Sequence, residues 1–389
     1  MKQWNAAVIG GGFVGRVHLE AIRRLGHVNI AALADPKLEK AEQLAAEFSI
    51  GRAGTDYHDI LQDPTIDAVH ICTPNHLHFP IVMAALEAGK HVVCEKPLAV
   101  SVEEAKALVG AAARTGKRNC VCHNLRYYPA VQHMRGLREA GELGEILVVQ
   151  GSYLQDWLAE ETDWNWRVLS SVGGPSRCMA DIGSHWFDMA EHVTGSRVSA
   201  LCADLQTFHQ TRKRPKANTE TFAGKLLEPG DYDVAPIDTE DFGAVLFQLG
   251  DRARGVMTAS QISRGRKNRL SIEIYGSKSS VAWDQERPDE LWLGFRNTNN
   301  QVLVKDPALL REGARRYADL PGGHSEGYDD TFKQVFRRFY ASLENPQCEP
   351  EYPQFRDGLR QLQILEASLV SSRRRAWVKV NGAEVNGQC

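Results

Sequence analysis

Short apolar runs that alternate with helix-forming segments fill the first third of the chain, and they constrain the fold more than any other feature. The apolar runs predict buried strands at Asn5–Gly10, Val28–Asp35, Asp67–Thr73, His91–Cys94 and Asn119–His123. The segments between them predict helices at Phe13–Leu25, Pro36–Phe48, His78–Ala88 and Val102–Arg114. Strands that alternate with helices of this length form parallel βαβ units. The sequence therefore predicts an α/β domain built on a parallel sheet.

A glycine-rich loop joins the first predicted strand to the first predicted helix. Gly10, Gly12 and Gly15 have the spacing GxGxxG, and Phe13 and Val14 open the helix. In a dinucleotide-binding turn the first glycine allows the tight bend, the second lets the backbone approach a pyrophosphate, and the third lets helix and strand pack closely. The pyrophosphate lies on the positive N-terminus of the helix. The alternative is a glycine-rich turn that binds no ligand.

An acidic residue ends the second predicted strand. Asp35 lies about 20 residues beyond Gly15, which is the usual spacing for the residue that holds the cofactor ribose. A carboxylate there accepts a hydrogen bond from the 2′-hydroxyl of NAD and repels the 2′-phosphate of NADP. The sequence therefore favours NAD, and the nearby Lys37 leaves NADP open as the alternative.

Polar residues also follow the next two predicted strands. The segment Thr73–His78 (TPNHLH) follows one strand, and Glu95, Lys96 and Pro97 follow the other. Ligands of open parallel sheets bind beyond the carboxyl ends of the strands, so we expect both segments at the same crevice as the glycine loop. A lysine in this position is poorly explained as a solvated residue, and its structural alternative is an ion pair with Glu95. The Lys96–Pro97 bond is a candidate for the cis form.

These segments together resemble the Gfo/Idh/MocA oxidoreductases, the family of glucose–fructose oxidoreductase and the inositol dehydrogenases. The resemblance is carried by GGGFVG at 10–15, ADP at 34–36, TPNHLH at 73–78, EKP at 95–97, GG at 173–174 and DIGSH at 181–185 with Asp188. It implies an N-terminal Rossmann domain over residues 1–125 and a C-terminal α+β domain over 126–389 with a large, mainly antiparallel sheet. The implied cofactor contacts are Gly10, Gly12, Phe13, Val14, Gly15, Asp35, Thr73, Pro74, Asn75, His78, Glu95 and Lys96.

The same resemblance implies that Lys96, Asp181 and His185 act together in catalysis. Asp181 and His185 are four residues apart and share one face if the segment is helical. Histidine suits a general base near neutral pH, a neighbouring carboxylate orients its ring, and a lysine stabilises a developing alkoxide. Two other assignments stay open. In one, Lys96 is the acid–base group and His185 positions the substrate, and in the other Asp188 replaces Asp181 as the partner of His185.

Beyond Glu145 the pattern changes to extended segments. Strands are predicted at Ile146–Tyr153, Val198–Phe208, Phe242–Leu249, Arg254–Ile262 and Leu270–Gly276, which indicates a mainly antiparallel sheet. The family resemblance implies a homodimer or homotetramer, with the exposed face of this sheet as the expected interface. The basic run Thr211–Lys216 lies in the polar segment Gln210–Glu240 and is predicted to be a solvated loop, with phosphate or partner binding as the alternative. A final helix at Gln354–Ser371 is expected to pack back on the first domain.

Aromatic and polar residues of the second domain suit a carbohydrate or polyol, because indole faces stack on sugar C–H surfaces while Asn, Gln and Arg bind hydroxyls. The candidate substrate contacts are Lys96, Asn124, Arg126, Tyr127, Gln155, Trp164, Trp166, Arg167, Asp181, His185 and His324. For the tryptophans the alternative is a core position, and for His324 it is capping of the following helix. The segments Trp164–Arg167 and Trp283–Leu291 are similar to those of levoglucosan- and other sugar-oxidising members of the family.

Composition excludes several other classes of protein. The net charge is −3 and the pI is about 6.5, so the chain lacks the basic footprint of a nucleic-acid binder. No run approaches the roughly 20 apolar residues of a membrane span, and residues 1–7 do not resemble a secretory signal. The eight cysteines, Cys389 included, lie mostly in apolar runs and predict reduced thiols in a cytoplasmic protein. Their spacing does not suit a metal site.

The sequence thus predicts an NAD(P)-dependent dehydrogenase that acts on a hydroxyl of a sugar, anhydrosugar or polyol. Two alternatives stay open. One is a redox-neutral enzyme that oxidises and then reduces a glycoside on tightly held NAD. The other is a non-catalytic sensor of NAD or a sugar with the same fold. Lys96 and His185 are both present, which favours an enzyme.

Overall fold

The computed structural model of the protein describes residues 2–216 and 228–381. Residues 217–227 of the polar segment and Cys389 lie outside the described residues. The strands up to residue 121 are β1 (Trp4–Ile9), β2 (Val28–Ala34), β3 (Ala53–Gly54), β4 (Ala68–Ile71), β5 (His91–Cys94) and β6 (Asn119–Val121). The helices between them are α1 (Phe13–Arg23), α2 (Leu38–Glu47), α3 (Tyr57–Gln62), α4 (His78–Glu87) and α5 (Val102–Thr115).

The six strands of this region form one sheet in the order β3-β2-β1-β4-β5-β6, and every adjacent pair is parallel. Their central residues are apolar without alternation, because helices cover both faces of such a sheet. Ala6, Ala7 and Val8 of β1 and Val69 of β4 are completely buried. The predicted parallel α/β domain is confirmed.

The rest of the chain is built mainly from longer strands. Its helices are α6 (Pro129–Glu139), α7 (Ser170–Gly173), α8 (Ser184–Thr194), α9 (Glu312–Arg315), α10 (Tyr328–Glu344) and α11 (Phe355–Arg374). Its strands are β7 (Ile146–Leu154), β8 (Val198–Gln206), β9 (Thr211–Pro215), β10 (Tyr232–Pro236), β11 (Phe242–Leu249), β12 (Ala253–Ser260), β13 (Arg269–Gly276), β14 (Ser280–Asp284), β15 (Glu290–Gly294), β16 (Gln301–Val304) and β17 (Val378–Lys379). None of the helices in the described ranges has the length and apolar character needed to cross a membrane.

Nine of these strands form a large sheet in the order β16-β15-β14-β13-β7-β12-β11-β8-β17, in which only the β7–β12 pair is parallel. In β13 the residues Leu270, Ile272 and Ile274 are buried and their neighbours are not, which is the alternation of a sheet with one covered face. Helices α6 and α8 pack on that face, where Trp186 and Phe187 of α8 meet Phe247 edge-on. The prediction of a large, mainly antiparallel sheet is confirmed.

The prediction of a solvated loop at Thr211–Lys216 is wrong. Residues 211–215 form β9, which pairs antiparallel with β10. Arg212 is buried, forms an ion pair with Asp241, and donates hydrogen bonds to the carbonyl oxygens of Leu158, Glu160 and Asp163. A run of basic residues in a sequence suggests solvent exposure. A guanidinium group has five N–H donors, however, so a buried site with several acceptors can hold it.

The chain divides into two compact units. The first contains residues 1–124 and 328–362, and the second contains residues 125–327 and 363–389. Within the first unit, α10 packs along α1, where Arg24 forms an ion pair with Asp330. The first residues of α11 belong to the same unit, since Gly358 lies against the side chain of Leu98.

Candidate active site

The three motif glycines between β1 and α1 have different surroundings. Gly10 has a φ of +102°, and a Cβ there would lie 2.7 Å from the backbone of Cys72. A Cβ on Gly15 would lie 2.0 Å from the carbonyl oxygen of Gly10, whereas a Cβ on Gly12 would meet no described atom within 4 Å. The fold therefore requires glycine at positions 10 and 15, and Gly12 leaves space that a ligand can occupy.

Helix α1 starts directly after Gly12, at the edge of this space. Among the described residues no side chain caps the helix at Gly12, and the first turn holds no acidic residue. Phe13 in this turn is 52% exposed and Val14 is half-buried. The N–H groups at a helix start carry positive partial charge and bind anions. The turn thus fits the pyrophosphate of a dinucleotide.

Asp35 is held beside the glycine loop by two backbone amides. Its Oδ2 accepts a hydrogen bond from the Gly11 N–H at 2.9 Å, and its Oδ1 accepts one from the Lys37 N–H at 3.0 Å. The carboxylate is 8% exposed and therefore fixed in place. Each oxygen keeps a second lone pair, which suits the predicted contact with a ribose hydroxyl.

The loop after β4 supplies further candidate cofactor contacts. Thr73 and Pro74 are half-buried and Asn75 is buried. The Oγ1 atom of Thr73 is buried and finds no hydrogen-bond partner among the described residues, so a bound ligand can satisfy it. The ring nitrogens of His78 lie 2.9 Å from the Thr73 carbonyl oxygen and 2.8 Å from that of Pro97. His78 therefore ties the loop after β4 to the loop after β5.

Lys96 stands half-buried in the loop after β5, before a cis peptide bond to Pro97. Its neighbour Glu95 was predicted as a cofactor contact, but in the structure the Glu95 carboxylate points into the interior of the first unit. There Glu95 Oε1 lies 3.1 Å from His18 Nε2, and Oε2 accepts a hydrogen bond from the Lys96 N–H at 3.2 Å. Both oxygens are thus engaged by the protein, so Glu95 anchors the loop that presents Lys96.

Asp181 lies on a π-helical turn, Met179–Gly183, that leads directly into α8. Its Oδ2 accepts a hydrogen bond from Gln261 Nε2 at 2.8 Å, and its Oδ1 lies 3.5 Å from Arg167 Nε. His185 follows in the first turn of α8. The sequence predicted an ordinary helical spacing here, and the structure replaces it by a wider turn, a feature that is frequent at functional sites.

His185 is 7% exposed and lies beside the ring of Tyr153, with the two ring centres 6.4 Å apart. The Tyr153 hydroxyl donates to Asn268 Oδ1 at 2.8 Å, and burial raises the pKa of this phenol far above its ordinary value. The predicted substrate residue Gln155 donates to the same Asn268 oxygen at 2.8 Å. Tyr153 and Gln155 therefore share one acceptor close to His185.

A buried ionic cluster supports Asp181 from behind. Asp241 Oδ1 accepts hydrogen bonds from both Arg177 and Arg212, and all three side chains are fully buried. Arg177 Nη1 also donates to Gln261 Oε1 at 3.2 Å, which leaves the Gln261 amide N–H facing Asp181. Sequence analysis missed Arg177 and Gln261. The one available signal was the place of Gln261 at the end of a predicted strand.

Asp188, the alternative partner for His185, pairs with Arg126 instead. Arg126 Nε donates to Asp188 Oδ2 at 2.9 Å, and Arg126 Nη2 contacts the other oxygen. Burial raises the pKa of Asp188 overall, although the Arg126 charge opposes the rise. This pair engages both carboxylate oxygens of Asp188. It also places the Arg126 guanidinium in a structural ion pair.

The other predicted substrate residues divide into two groups. The guanidinium of Arg167 lies 4.3 Å from the ring centre of Trp166, so these two half-buried residues stand together with Asp181. Trp164 packs on the small apolar cluster of Leu158, Val168 and Ile237, which matches the core alternative.

Three further candidates are placed elsewhere. Tyr127 is buried against Tyr317, and the Asn124 amide donates to Thr331 Oγ1 at 2.7 Å. His324 is exposed on its loop, with Nδ1 3.2 Å from the carbonyl oxygen of Gly322. These contacts are internal to the loops and core that hold the three residues.

A parallel sheet with an uncapped glycine turn, a fixed acidic residue after β2 and a lysine after β5 defines a dinucleotide-binding oxidoreductase. Residues 4–123 match the model of the oxidoreductase family with an NAD-binding Rossmann fold, and residues 131–282 match the GFO/IDH/MocA C-terminal domain. The chain belongs to the Gfo/Idh/MocA oxidoreductase family, as predicted. Its first unit is therefore an NAD-binding domain.

Individual relatives agree with this assignment. The chain is 32% identical over 397 residues to a levoglucosan dehydrogenase of Pseudarthrobacter phenanthrenivorans, covering 98% of this chain and 99% of that one. It is 24% identical to a myo-inositol 2-dehydrogenase of Thermotoga maritima, covering 96% and 97%. A solved levoglucosan dehydrogenase in complex with NADH and levoglucosan superimposes with a TM-score of 0.87 at 30% identity, covering 98% of this chain and all of that one.

Proposed function

We propose that the protein is a dehydrogenase that oxidises one hydroxyl of an uncharged sugar, anhydrosugar or polyol with NAD. When bound, NAD supplies the acceptor for the hydride. The residues suited to hold it are Gly12 and the start of α1 at the pyrophosphate, Asp35 at the ribose, and Thr73 with its buried hydroxyl. NADP is the less favoured cofactor because Asp35 carries a negative charge beside the ribose position.

In this proposal three side chains carry the chemistry. His185 accepts the proton of the substrate hydroxyl, Asp181 orients the imidazole and stabilises its charged form, and Lys96 stabilises the negative charge that develops on the oxygen. The observation that carries the proposal is the fixed carboxylate of Asp181. It is held by Gln261 and Arg167 on the turn that leads into His185. A carboxylate placed in this way suits a permanent partner of a general base.

The substrate class is supported by the side chains around Asp181. Arg167 and Gln155 offer N–H donors for hydroxyl oxygens, and the Trp166 ring offers an apolar face for sugar C–H groups. Asn124, Arg126, Tyr127, Trp164 and His324 are not included, because other protein groups engage them or they lie in a core or an exposed loop. Levoglucosan is the first compound to test, since the relative that oxidises it aligns over nearly the whole chain.

The decisive experiment measures NADH formation at 340 nm with levoglucosan, free hexoses and inositols, each with NAD and with NADP. Net NADH formation with one of them supports the proposal. Product formation without net NADH would instead identify a redox-neutral enzyme. Tight NAD binding with no turnover of any sugar or polyol would favour a sensor.

Replacing Lys96 tests the assignment of the catalytic lysine. We expect Lys96→Ala to lose at least about 100-fold in kcat, because the charge on the oxygen is no longer stabilised. The NAD affinity measured by calorimetry should stay within about 3-fold, since the glycine turn and Asp35 are unchanged. Lys106→Ala, at an exposed position of α5, is the matched control. Unchanged turnover of Lys96→Ala would overturn the assignment.

We also propose that copies of the chain associate through the open face of the large sheet. The cross-strand register places Val148, Val256, Leu246 and Val302 on one side of this sheet. Val148 is 41%, Val256 37% and Leu246 52% exposed, and Val302 is also exposed. Exposed apolar side chains on one side of a sheet favour association, and they support a homodimer or homotetramer.

A cytoplasmic location is proposed from the cysteines. All seven described cysteines are free thiols, and Cys94, Cys120, Cys122 and Cys178 are buried. Unpaired thiols are typical of a reducing compartment. Fractionation of cells that express the intact chain tests this location.

A further inference from the structure

Four buried side chains of the first unit form an unbroken chain of polar contacts behind the Lys96 loop. Glu95 Oε1 lies 3.1 Å from His18 Nε2, and His18 Nδ1 lies 3.0 Å from His70 Nδ1. His70 Nε2 in turn lies 2.9 Å from the hydroxyl of Tyr340. His18, His70 and Tyr340 are completely buried. We call Glu95, His18, His70 and Tyr340 the histidine relay.

The surroundings of the histidine relay disfavour charge on His70. The rings of Phe332 and Phe336 pack against His18, and Phe336 also packs edge-on against His70. Burial, aided by the nearby His18, lowers the pKa of His70 well below its ordinary value. Burial acts to raise the pKa of Glu95, but the hydrogen bond from His18 and the charge of Lys96 hold it below its ordinary value. His70 is therefore neutral, and Glu95 is an ionised carboxylate.

With one proton on the His18 ring, a neutral His70 and an ionised Glu95, every proton in the histidine relay has one position. The Glu95 carboxylate only accepts, so His18 Nε2 donates to it and His18 Nδ1 must accept. His70 Nδ1 then donates to His18, and His70 Nε2 accepts from the Tyr340 hydroxyl. The three contacts follow one direction from Tyr340 to Glu95. Each ring nitrogen is satisfied, which a buried histidine requires.

A metal site is the rival explanation of part of this cluster. His18 Nε2, Glu95 Oε1 and Cys122 Sγ lie within 4.8 Å of one another, close enough to hold an ion. The 3.1 Å separation of His18 and Glu95 is already that of a hydrogen bond. Hydrogen bonding explains the positions of all four residues of the histidine relay. A metal ion would explain the positions of only His18 and Glu95.

We propose that His18, His70 and Tyr340 are positioning residues that fix the Glu95 carboxylate and, through the Lys96 N–H, the loop that presents Lys96. This inference rests on the proposed function in one respect, because Lys96 is the group it serves. Glu95 Oε2 accepts the Lys96 N–H at 3.2 Å, so a displaced Glu95 carboxylate changes where the lysine stands. Catalysis is sensitive to such displacements, since a shift of about 1 Å can cost roughly 100-fold in rate.

The tautomers give a test that needs no turnover. Long-range proton–nitrogen NMR of the histidine-labelled full chain at pH 7 should show His18 protonated only at Nε2 and His70 only at Nδ1. Their signals are assigned by comparison with His18→Gln and His70→Gln variants. The opposite tautomer at either residue, or a doubly protonated ring, would overturn the relay. So would one equivalent of zinc per chain in the purified protein, because His18 Nε2 and Glu95 Oε1 would then be ligands.

Removing one hydroxyl tests the link to Lys96. We expect Tyr340→Phe to lower kcat roughly 3- to 10-fold, the effect of one net hydrogen bond, with KM and NAD affinity nearly unchanged. In a Glu95→Gln background the same substitution should have less than about a 2-fold effect, since the link is already broken. Tyr352→Phe is the matched control, because Tyr352 is also buried in the first unit and bonded to Ser342 Oγ at 2.9 Å.

The outcomes of the two tests separate the inference from the proposed function. Equal losses for Tyr340→Phe and Tyr352→Phe, or losses that add fully in the Glu95→Gln background, would overturn the positioning role. Expected tautomers in a protein that oxidises none of the sugars would contradict the proposed function while supporting the histidine relay itself.

Discussion

At the scale of single residues, buried charges determine where the candidate catalytic carboxylate stands. Burial acts to raise the pKa of Asp241, but Arg177, Arg212 and the His209 amide hold it below its ordinary value. The ionised Asp241 fixes Arg177, which fixes the Gln261 oxygen and so directs the Gln261 amide toward Asp181. Leaving any one of these groups unpaired in the interior is costly, so the set behaves as a unit.

The sequence predicted Asp181 and His185 as catalytic partners, but it did not predict this supporting cluster. Arg177, Arg212 and Gln261 are far apart along the chain and belong to no local pattern. Strand pairing brings them together, and pairing is a property of the folded sheet. The same reason explains why Arg126 was predicted as a substrate contact. Its partner Asp188 lies on a different element, α8.

Asp35 gives a prediction at this scale for cofactor choice. We expect Asp35→Ser to raise the ratio of kcat/KM for NADP to that for NAD by about 10- to 100-fold, because the like-charge repulsion of the 2′-phosphate is removed. Steady-state kinetics with both cofactors measure the ratio. Asp56→Ser is the control, since Asp56 also accepts a backbone hydrogen bond, from His58 at 2.9 Å, but only caps α3. An unchanged ratio would contradict the role of Asp35.

At the scale of elements, the first unit was predicted well because its signals are local. Each buried strand of a parallel sheet is a continuous apolar run, and each helix carries its own spacing, so β1, β2, β4, β5 and β6 were found within a few residues. The half-exposed strands β14, β15 and β16 were not predicted, because exposed residues dilute the apolar pattern. The π-helical turn was missed because no sequence period distinguishes it from an α-helix.

The turn between β1 and α1 allows fold and ligand requirements to be separated. We expect Gly15→Ala to lower the Tm by about 5–10 °C, since its Cβ would lie 2.0 Å from the Gly10 carbonyl oxygen. Gly12→Ala should keep the Tm without cofactor within about 2 °C but weaken NAD binding at least roughly 10-fold, because its Cβ fills the space left for the ligand. Thermal unfolding and calorimetry check both, and equal NAD affinity for Gly12→Ala and the unaltered protein would contradict this use of the turn.

At the scale of the whole molecule, the large sheet has one face covered by α6 and α8 and one face open. On the open face Val256 of β12 lies opposite Leu246 of β11. On the other side of β12, Val256 pairs with Gln150 of β7, and Val148 lies two residues before Gln150 on the same face. An isolated monomer would leave these apolar side chains in water, at a cost of about 25 cal/mol for each Å². Association of two copies removes that cost without changing either fold.

The oligomeric state tests this surface directly. We expect Leu246→Lys combined with Val256→Lys to convert a dimer or tetramer into a monomer, since paired lysines place charge at the centre of the contact. Size-exclusion chromatography with light scattering gives the mass. Leu309→Lys is the control, because Leu309 is also exposed, at 64%, but lies outside the sheet. A double variant that keeps its oligomeric mass would place the interface elsewhere.

The return of residues 328–362 to the first unit has a consequence for synthesis of the chain. A ribosome delivers residues 1–124 long before α10, yet His70 depends on Tyr340, and the Val121 N–H donates to the Pro353 carbonyl oxygen at 2.9 Å. The nascent N-terminal sheet therefore exposes groups that only the last part of the chain can cover. The NAD-binding unit reaches its final form after the second unit has emerged, so a premature stop before α10 yields an aggregation-prone chain rather than a working half.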